Sequence, residues 1–310
     1  MTNLPWILVE DYKFPGGWVG AQQHEARARA YCELLEKGQI LLFRELPFSL
    51  PQVDQEFLLA QAWTELRLHK NVSYRPGEDM IRGVSGDPAT IERICNILRS
   101  YSEQVVSFAS KFLSPYAGGW TLDFASFRPL EEEGRDLPLH KRNDLLHVDA
   151  FPSRPTRGGR ILRIFTNVNP TRPRVWHTTE SFDLLAEKYA EAAGLREIAE
   201  DDGFLNRTVQ NLGAKLGLRG MGRTAYDMFM LRFHDYLKEN AEFQANCPKV
   251  RLEFPPRSTW IVYTDCTAHA VMSGQYALEQ TFLIPPDALV ALAQAPYRIL
   301  EQIAGLPLIQ

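Results

Sequence analysis

In the stretch His147-Val148-Asp149, an imidazole and a carboxylate stand two residues apart. In extended backbone, residues i and i+2 point to the same side, so both side chains can face one ion. A third nitrogen ligand from elsewhere would complete a facial set of two histidines and one carboxylate. Such a set leaves coordination positions open for an oxidisable co-substrate and O₂. An H-x-D alone can equally be a surface histidine followed by a turn aspartate, so its surroundings decide. Three later histidines could complete the set. His177 follows Trp176 just after a β-prone run and reads as loop, His234 lies on the polar edge of a helix, and His269 lies between two late strands. The last position returns a strand to the place where the H-x-D opens, which makes His269 the expected partner of His147 and Asp149.

These residues need a scaffold that brings distant strands together. Leu145 to Val148, Arg160 to Val168, Val250 to Phe254, Thr259 to Tyr263 and Tyr276 to Ile284 are short β-prone runs bounded by Gly, Pro and Asn. A strand is also expected around Leu122 to Phe127. Such strands predict an α+β chain with a double-stranded β-helix (jelly-roll or cupin-like) core over about 120–285. Ahead of it, about 1–119 reads as mainly helical: helices over 21–37 and 51–70, a buried strand at 39–43, a loop over 71–86. A long helix then opens at Asp87-Pro88, with Ile91, Ile94, Leu98, Val105, Phe108 and Phe112 on one face. A helical insert is expected at about 178–246, with the stripe Tyr226, Phe229, Met230, Phe233 and Leu237, and short helices at 287–295 and 297–304 within the final stretch 286–310. No repeat or linker divides the chain, so 1–310 reads as one domain.

The bulk numbers set limits. At 45% apolar and 23% charged the composition is that of an ordinary globular protein. A net charge of −4 gives no bulk drive toward nucleic acid or anionic membranes, so any anion site must be a local cluster. The four cysteines stand singly, which fits a reducing compartment; with no signal-peptide pattern and no apolar run long enough to cross a bilayer, a cytoplasmic protein is expected. No G-x-S-x-G, P-loop or G-x-G-x-x-G is present, which disfavours triad and nucleotide chemistry.

At the metal motif the chain resembles the 2-oxoglutarate oxygenase superfamily, with H-x-D, a loop and a small-Gly-Arg turn leading into a strand that ends in Asn. More narrowly, HVDAFPSRPTRGGRILRIFTNVNP, STWIVYTDCTAHAVMSGQYALEQTF and the C-terminal YRILEQIAG are similar to the bacterial Kdo hydroxylases, across essentially the whole chain. That resemblance implies iron(II), 2-oxoglutarate and O₂ acting on C3 of 3-deoxy-D-manno-oct-2-ulosonic acid (Kdo) in a lipid A precursor, with peripheral contact at the inner membrane. It implies no catalytic side chain beyond the metal set. The same machinery on another substrate, or a non-catalytic cupin that binds a sugar, are the alternatives.

Many superfamily members carry an arginine about ten residues past the distal histidine, to clamp the far carboxylate of the 2-oxoglutarate. Here that neighbourhood is Leu278-Glu279-Gln280-Thr281. The expected clamp therefore moves to the strand after the H-x-D, where alternation puts Arg163 and Asn167 on one face and Arg160 on the other. Arg163 is favoured, since a charge between apolar neighbours needs a carboxylate, with Arg160 as the second choice; the alternative is an Arg163 paired with a protein acid. Asn167 is grouped with them. For the acidic sugar and its phosphorylated anchor, local cations come from Arg142, Arg154, Arg157, Arg219, Arg223 and Arg232, with His234 beside them and His140 and Lys141 preceding.

Overall fold

The computed structural model describes residues 5–20, 23–61, 63, 71–201 and 222–309. The β-branched and aromatic run at 160–167 forms the centre of a large sheet. Among the described residues that sheet has eight strands, in the order β1 (Trp6–Leu8), β4 (Ile40–Phe43), β11 (Thr259–Tyr263), β8 (Arg160–Asn167), β13 (Ala277–Ile284), β7 (Thr121–Arg128), β5 (Val72–Arg75) and β6 (Met80–Arg82). All neighbours run antiparallel except β1 and β4. A smaller sheet, β10 (Val250–Phe254), β9 (Arg174–Thr178) and β12 (His269–Ser273), lies against it. The pair β2 (Tyr12–Lys13) and β3 (Gly17–Trp18) stands apart. The two facing sheets are the expected jelly-roll core.

Period two on β8 explains the layers. Leu162 and Ile164 join the larger apolar cluster on the helical side. There α3 (Pro88–Phe112) lays down Ile94, Leu98, Tyr101, Val105, Phe108 and Phe112. Asp87 caps this helix by accepting from the Thr90 amide, and proline occupies its first turn, where a missing N–H costs nothing. On the other face, Phe165 packs with Trp260, Trp176, Leu252, Phe254 and Val271 in a second cluster between the sheets. Phe254 stacks on Trp260 with ring centroids 3.9 Å apart.

On the large sheet that second cluster covers β1, β4, β11 and β8. Farther along the same face the residues turn polar: Glu279 on β13 lies opposite Ser126 on β7, which lies opposite Ser73 on β5, and Thr281 lies opposite Arg163. The inner face is thus dry on one half and polar on the other.

Between β9 and β10 come α4 (Phe182–Tyr189), a helical stretch at 195–201, α5 (Ala225–Glu239) and α6 (Ala241–Asn246). Tyr226, Phe229, Met230, Phe233 and Leu237 of α5 are buried, so the aromatic stripe is core. Thr224 and Asp227 form a capping box at its start, and Asp227 Oδ1 also accepts from the Thr156 and Arg157 amides, pinning the loop after the H-x-D. At the chain's end α7 (Pro296–Ala304) stops at Gly305, whose φ of 69° is the left-handed conformation of a helix C-terminus.

Several elements differ from the expected ones. The stretch 145–148 is an isolated bridge rather than a strand. The insert lies where it was expected, but a strand that was not expected, β9 at Arg174–Thr178, precedes it. The first 119 residues add strands to the sheet: β5 and β6 form a hairpin where a loop was expected over 71–86. The helix expected over 21–37 is α1 (His24–Glu36). The helix expected over 51–70 is α2 (Gln52–Ala60), and its continuation over 64–70 lies outside the described residues. The helix expected at 287–295 is two 3₁₀ turns, Pro286–Ala288 and Leu292–Gln294.

Candidate metal centre

His147 and His269 face each other across that isolated antiparallel bridge. The His147 amide donates to the His269 carbonyl at 3.1 Å and the His269 amide to the His147 carbonyl at 2.9 Å. Two positions on, the Asp149 amide donates to Thr264 O at 2.7 Å. The backbone thereby fixes all three side chains, whose ligand atoms lie within 4.8 Å of one another.

The donor set fits a metal. His147 Nδ1 lies 2.8 Å from Leu145 O and His269 Nδ1 2.9 Å from Thr267 O, so each Nδ1 carries its proton and each Nε2 keeps a lone pair. His147 Nε2 stands 3.7 Å from Asp149 Oδ1, too long for a hydrogen bond and suited to two donors sharing an ion. Asp149 Oδ2 is buried and meets the protein through an ion pair with Arg163. Burial, and then the neighbouring His269, hold the His147 pKa well below its usual value; burial also lowers that of His269. Burial opposes charge on Asp149, but the Arg163 guanidinium beside it outweighs burial and holds the carboxyl below its usual range. Two neutral imidazoles and one carboxylate are what a divalent cation requires. His269 is also stacked on Trp176, with centroids 4.9 Å apart, which fixes its ring.

A pocket of about 140 Å³ opens beside these three residues, and its walls hold Arg128, Arg163 and Arg174. Arg163 extends one nitrogen to Asp149 Oδ2 at 3.2 Å and another to Glu279 Oε1 at 3.0 Å. Arg128 Nε reaches Glu279 Oε2 at 2.8 Å. Arg174 on β9 is 1% exposed, pairs with Glu132 at 3.3 Å and donates to Gly274 O at 2.9 Å. Burial pushes its pKa down to about 10, against the pull of Glu132. Three guanidiniums around one small polar pocket can receive a dicarboxylate beside a metal.

The other expected site residues are scattered. Arg160 is fully buried on the opposite face of β8, paired with Asp265 at 2.8 Å and lying over the Tyr263 ring. It does not line the pocket. Asn167 ends β8, where its amide donates to Arg172 O, Phe254 O and Pro255 O, which is a turn-holding arrangement. Arg142 pairs with Asp144, Arg232 with Glu197, and Arg223 with the Pro152 carbonyl. The Arg157 backbone has a φ of 52° and its amide is held by Asp227. Arg219 lies outside the described residues. His234 comes close, its ring edge-on to His147 at 5.1 Å, with Nδ1 2.8 Å from Asp235. Arg154 stands in a cleft adjoining the pocket. His177 is on β9, in register with Arg251 and Ala270.

Sequence reasoning passed over Arg128, Arg174 and Trp176. The signal for the last two was alternation in Arg174-Val175-Trp176, which puts both on one strand face.

Residues 19–307 match the profile of a family described as 3-deoxy-D-manno-oct-2-ulosonic acid (Kdo) hydroxylase. The fold is similar to that of the Kdo hydroxylase KdoO, a non-haem Fe(II) α-ketoglutarate-dependent dioxygenase crystallised with α-ketoglutarate and Fe(III). The TM-score is 0.80 at 32% identity, covering 99% of this chain and 98% of that one. The cobalt(II) complex of KdoO gives 0.81 at 32% identity over the same shares, and its apo form 0.80 at 31%. No curated protein sequence matches the chain. With its jelly-roll core, its His-Asp-His cluster and a match over nearly its whole length, the chain belongs to the Kdo hydroxylases, iron(II)- and 2-oxoglutarate-dependent dioxygenases.

Proposed function

We propose that this enzyme hydroxylates C3 of a Kdo sugar in a lipid A or inner-core lipopolysaccharide precursor, with His147, Asp149 and His269 holding the iron. When bound, iron(II) with 2-oxoglutarate and O₂ supplies the oxidation that replaces C–H by C–OH and yields succinate and CO₂. The observation that carries this reading is the convergence of the three ligand atoms within 4.8 Å beside a pocket walled by three arginines.

The protein's own work is positioning and charge balance. The Leu145 and Thr267 carbonyls hold the two imidazoles in the tautomer that presents Nε2. Arg163 keeps Asp149 ionised and restrains its carboxylate. Arg128 and Arg174 stand ready for the two carboxylates of the co-substrate, with Glu279 and Glu132 balancing their charge. Arg163 faces the same pocket and shares that role. The dry cluster around Phe165, Trp176 and Trp260 closes one side against water.

Among the described residues no helix is long and apolar enough to cross a membrane. The lipid anchor of the substrate supports a cytoplasmic enzyme in peripheral contact with the inner membrane. The deciding experiment is succinate formation from 2-oxoglutarate with and without a Kdo-bearing lipid A precursor, together with mass spectrometry of the lipid. Stimulation by the lipid and one added oxygen are expected; iron-dependent turnover that ignores Kdo would exclude the assignment.

A further inference from the structure

The polar half of the inner sheet face is hollowed into a cleft of about 380 Å³, and Asn71, Arg128 and Arg163 line both it and the metal pocket. The two spaces therefore adjoin across these three side chains. Four guanidiniums (Arg82, Arg128, Arg154, Arg163) line the cleft with the carboxylates of Asp123 and Glu279, while Arg82 also pairs with Glu78 and Arg163 with Asp149, so cations are concentrated here in a chain whose net charge is −4. Between the charges are the hydroxyls of Ser73, Ser126 and Thr281.

Arg154 is placed there by an alternating column. Its Cζ lies 4.2 Å from the centroid of Phe124 and 4.3 Å from that of Phe151. Beyond Phe124 the column continues to Arg75 at 4.5 Å, and beyond Phe151 to Arg163 at 5.5 Å. Aromatic faces interleaved with guanidiniums attract each cation and fix its plane. The column thus leads from the β5–β6 hairpin to Asp149, the partner of Arg163.

The Arg154 guanidinium is only partly engaged. One terminal nitrogen pairs with Oδ2 of buried Asp123 at 3.2 Å, but the guanidinium Nε has no hydrogen-bond partner. A cation held between two rings, partly open to the cleft and with one side not fully hydrogen-bonded, is prepared for a planar acceptor such as a carboxylate.

We propose, resting on the Kdo hydroxylase reading, that this cleft is the sugar-acid subsite. Arg154, clamped between Phe124 and Phe151, receives the sugar's carboxylate while Ser73, Ser126 and Thr281 face its hydroxyls. In the sugar the carboxylate is attached to C2, and C3 is the next carbon, so whatever grips the carboxylate fixes the position of the carbon to be oxidised. A neutral sugar would forgo the charge-assisted hydrogen bonds that Arg154 can give a carboxylate, and the subsite selects against it.

The test is steady-state kinetics of the iron-loaded enzyme with Kdo-bearing lipid A precursor. Arg154→Gln should raise KM for the lipid by roughly 10- to 100-fold, the worth of a hydrogen-bonded ion contact, and leave KM for 2-oxoglutarate within about twofold. Arg154→Lys, which keeps the charge but not the planar fork, should recover only part of the loss, and it serves as the readout if the Gln variant does not fold. An unchanged KM for the lipid in a folded Arg154 variant overturns the proposal. So does an equal rise in KM for the co-substrate, which would assign Arg154 to the metal pocket. A wild-type enzyme that ignores Kdo overturns the functional reading itself, which separates the two failures.

Discussion

At the scale of single residues, the metal site rests on which nitrogen of each histidine is free. The Nδ1 atoms of His147 and His269 are both spent on backbone carbonyls, whereas His234 lies edge-on to His147 with its Nδ1 on Asp235. His147→Ala and His269→Ala should each abolish iron(II) binding in an anaerobic titration, and His234→Ala should leave it within about tenfold, the lower end of what outer partners contribute. The H-x-D was legible because strand geometry alone puts i and i+2 together. Arg128 and Arg174 were not, because their carboxylate partners, Glu279 and Glu132, are distant in sequence and nothing local marks the pairing. Lys238, buried near the same site with Nζ 2.9 Å from His140 O, makes a second prediction. Burial pushes its pKa down to about 8, against the pull of Asp149. The unfolded chain then holds a proton that the folded one lacks between about pH 8 and the ordinary 10.5, so stability rises with pH through that window. Lys238→Met should therefore melt above the wild type below pH 8, and the difference should shrink toward pH 10; a difference that does not change with pH would refute the shift.

At the scale of elements, β8 was readable because its run is strongly β-prone and Asn169-Pro170 closes it, and α3 because cap, proline and apolar spacing agree. The strand β9 was missed for a physical reason. Five residues between a Pro-rich turn and a helical insert carry too little periodicity to stand out, and its pairing with β10 and β12 is wholly long-range. The stretch at 145–148 failed in the opposite way: its residues are β-prone, but only His147 finds a partner. The turn between β12 and β13 shows how an element sets the site. Gly274 has a φ of 116°, and a Cβ there would stand 2.9 Å from Arg174 Cα and 3.0 Å from its Cγ. Gly274→Ala should destabilise the protein by about 1–3 kcal/mol through backbone strain. It should also displace Arg174 and raise KM for 2-oxoglutarate by about tenfold, the cost of one impaired charged hydrogen bond. Thermal melting and co-substrate kinetics read the two effects separately, and a lowered melting temperature with unchanged KM would show that Arg174 adjusts.

At the scale of the whole molecule, the two apolar clusters lie on opposite faces of one sheet, and the smaller leaves the polar half of its face uncovered. The jelly roll was legible as a class, since short strands with Gly and Pro turns permit few other architectures. The division of its inner face was not, because it depends on which strands the small sheet covers. That division also reconciles a net charge of −4 with an anionic substrate: guanidiniums are gathered locally, with Arg82, Arg128, Arg154 and Arg163 lining the cleft beside the metal site. Charges partly open to solvent are screened over about 10 Å at 0.1 M salt, whereas buried ones are screened much less. Arg154 is 32% exposed on its side chain and Arg82 50%, against 1% for Arg174 and 11% for Arg163. Raising salt from about 0.05 to about 0.3 M should therefore raise KM for the Kdo-bearing lipid several-fold and leave KM for 2-oxoglutarate nearly constant. If both rise together, the sugar and the co-substrate share one set of arginines, and the cleft does not divide the labour as its burial pattern requires.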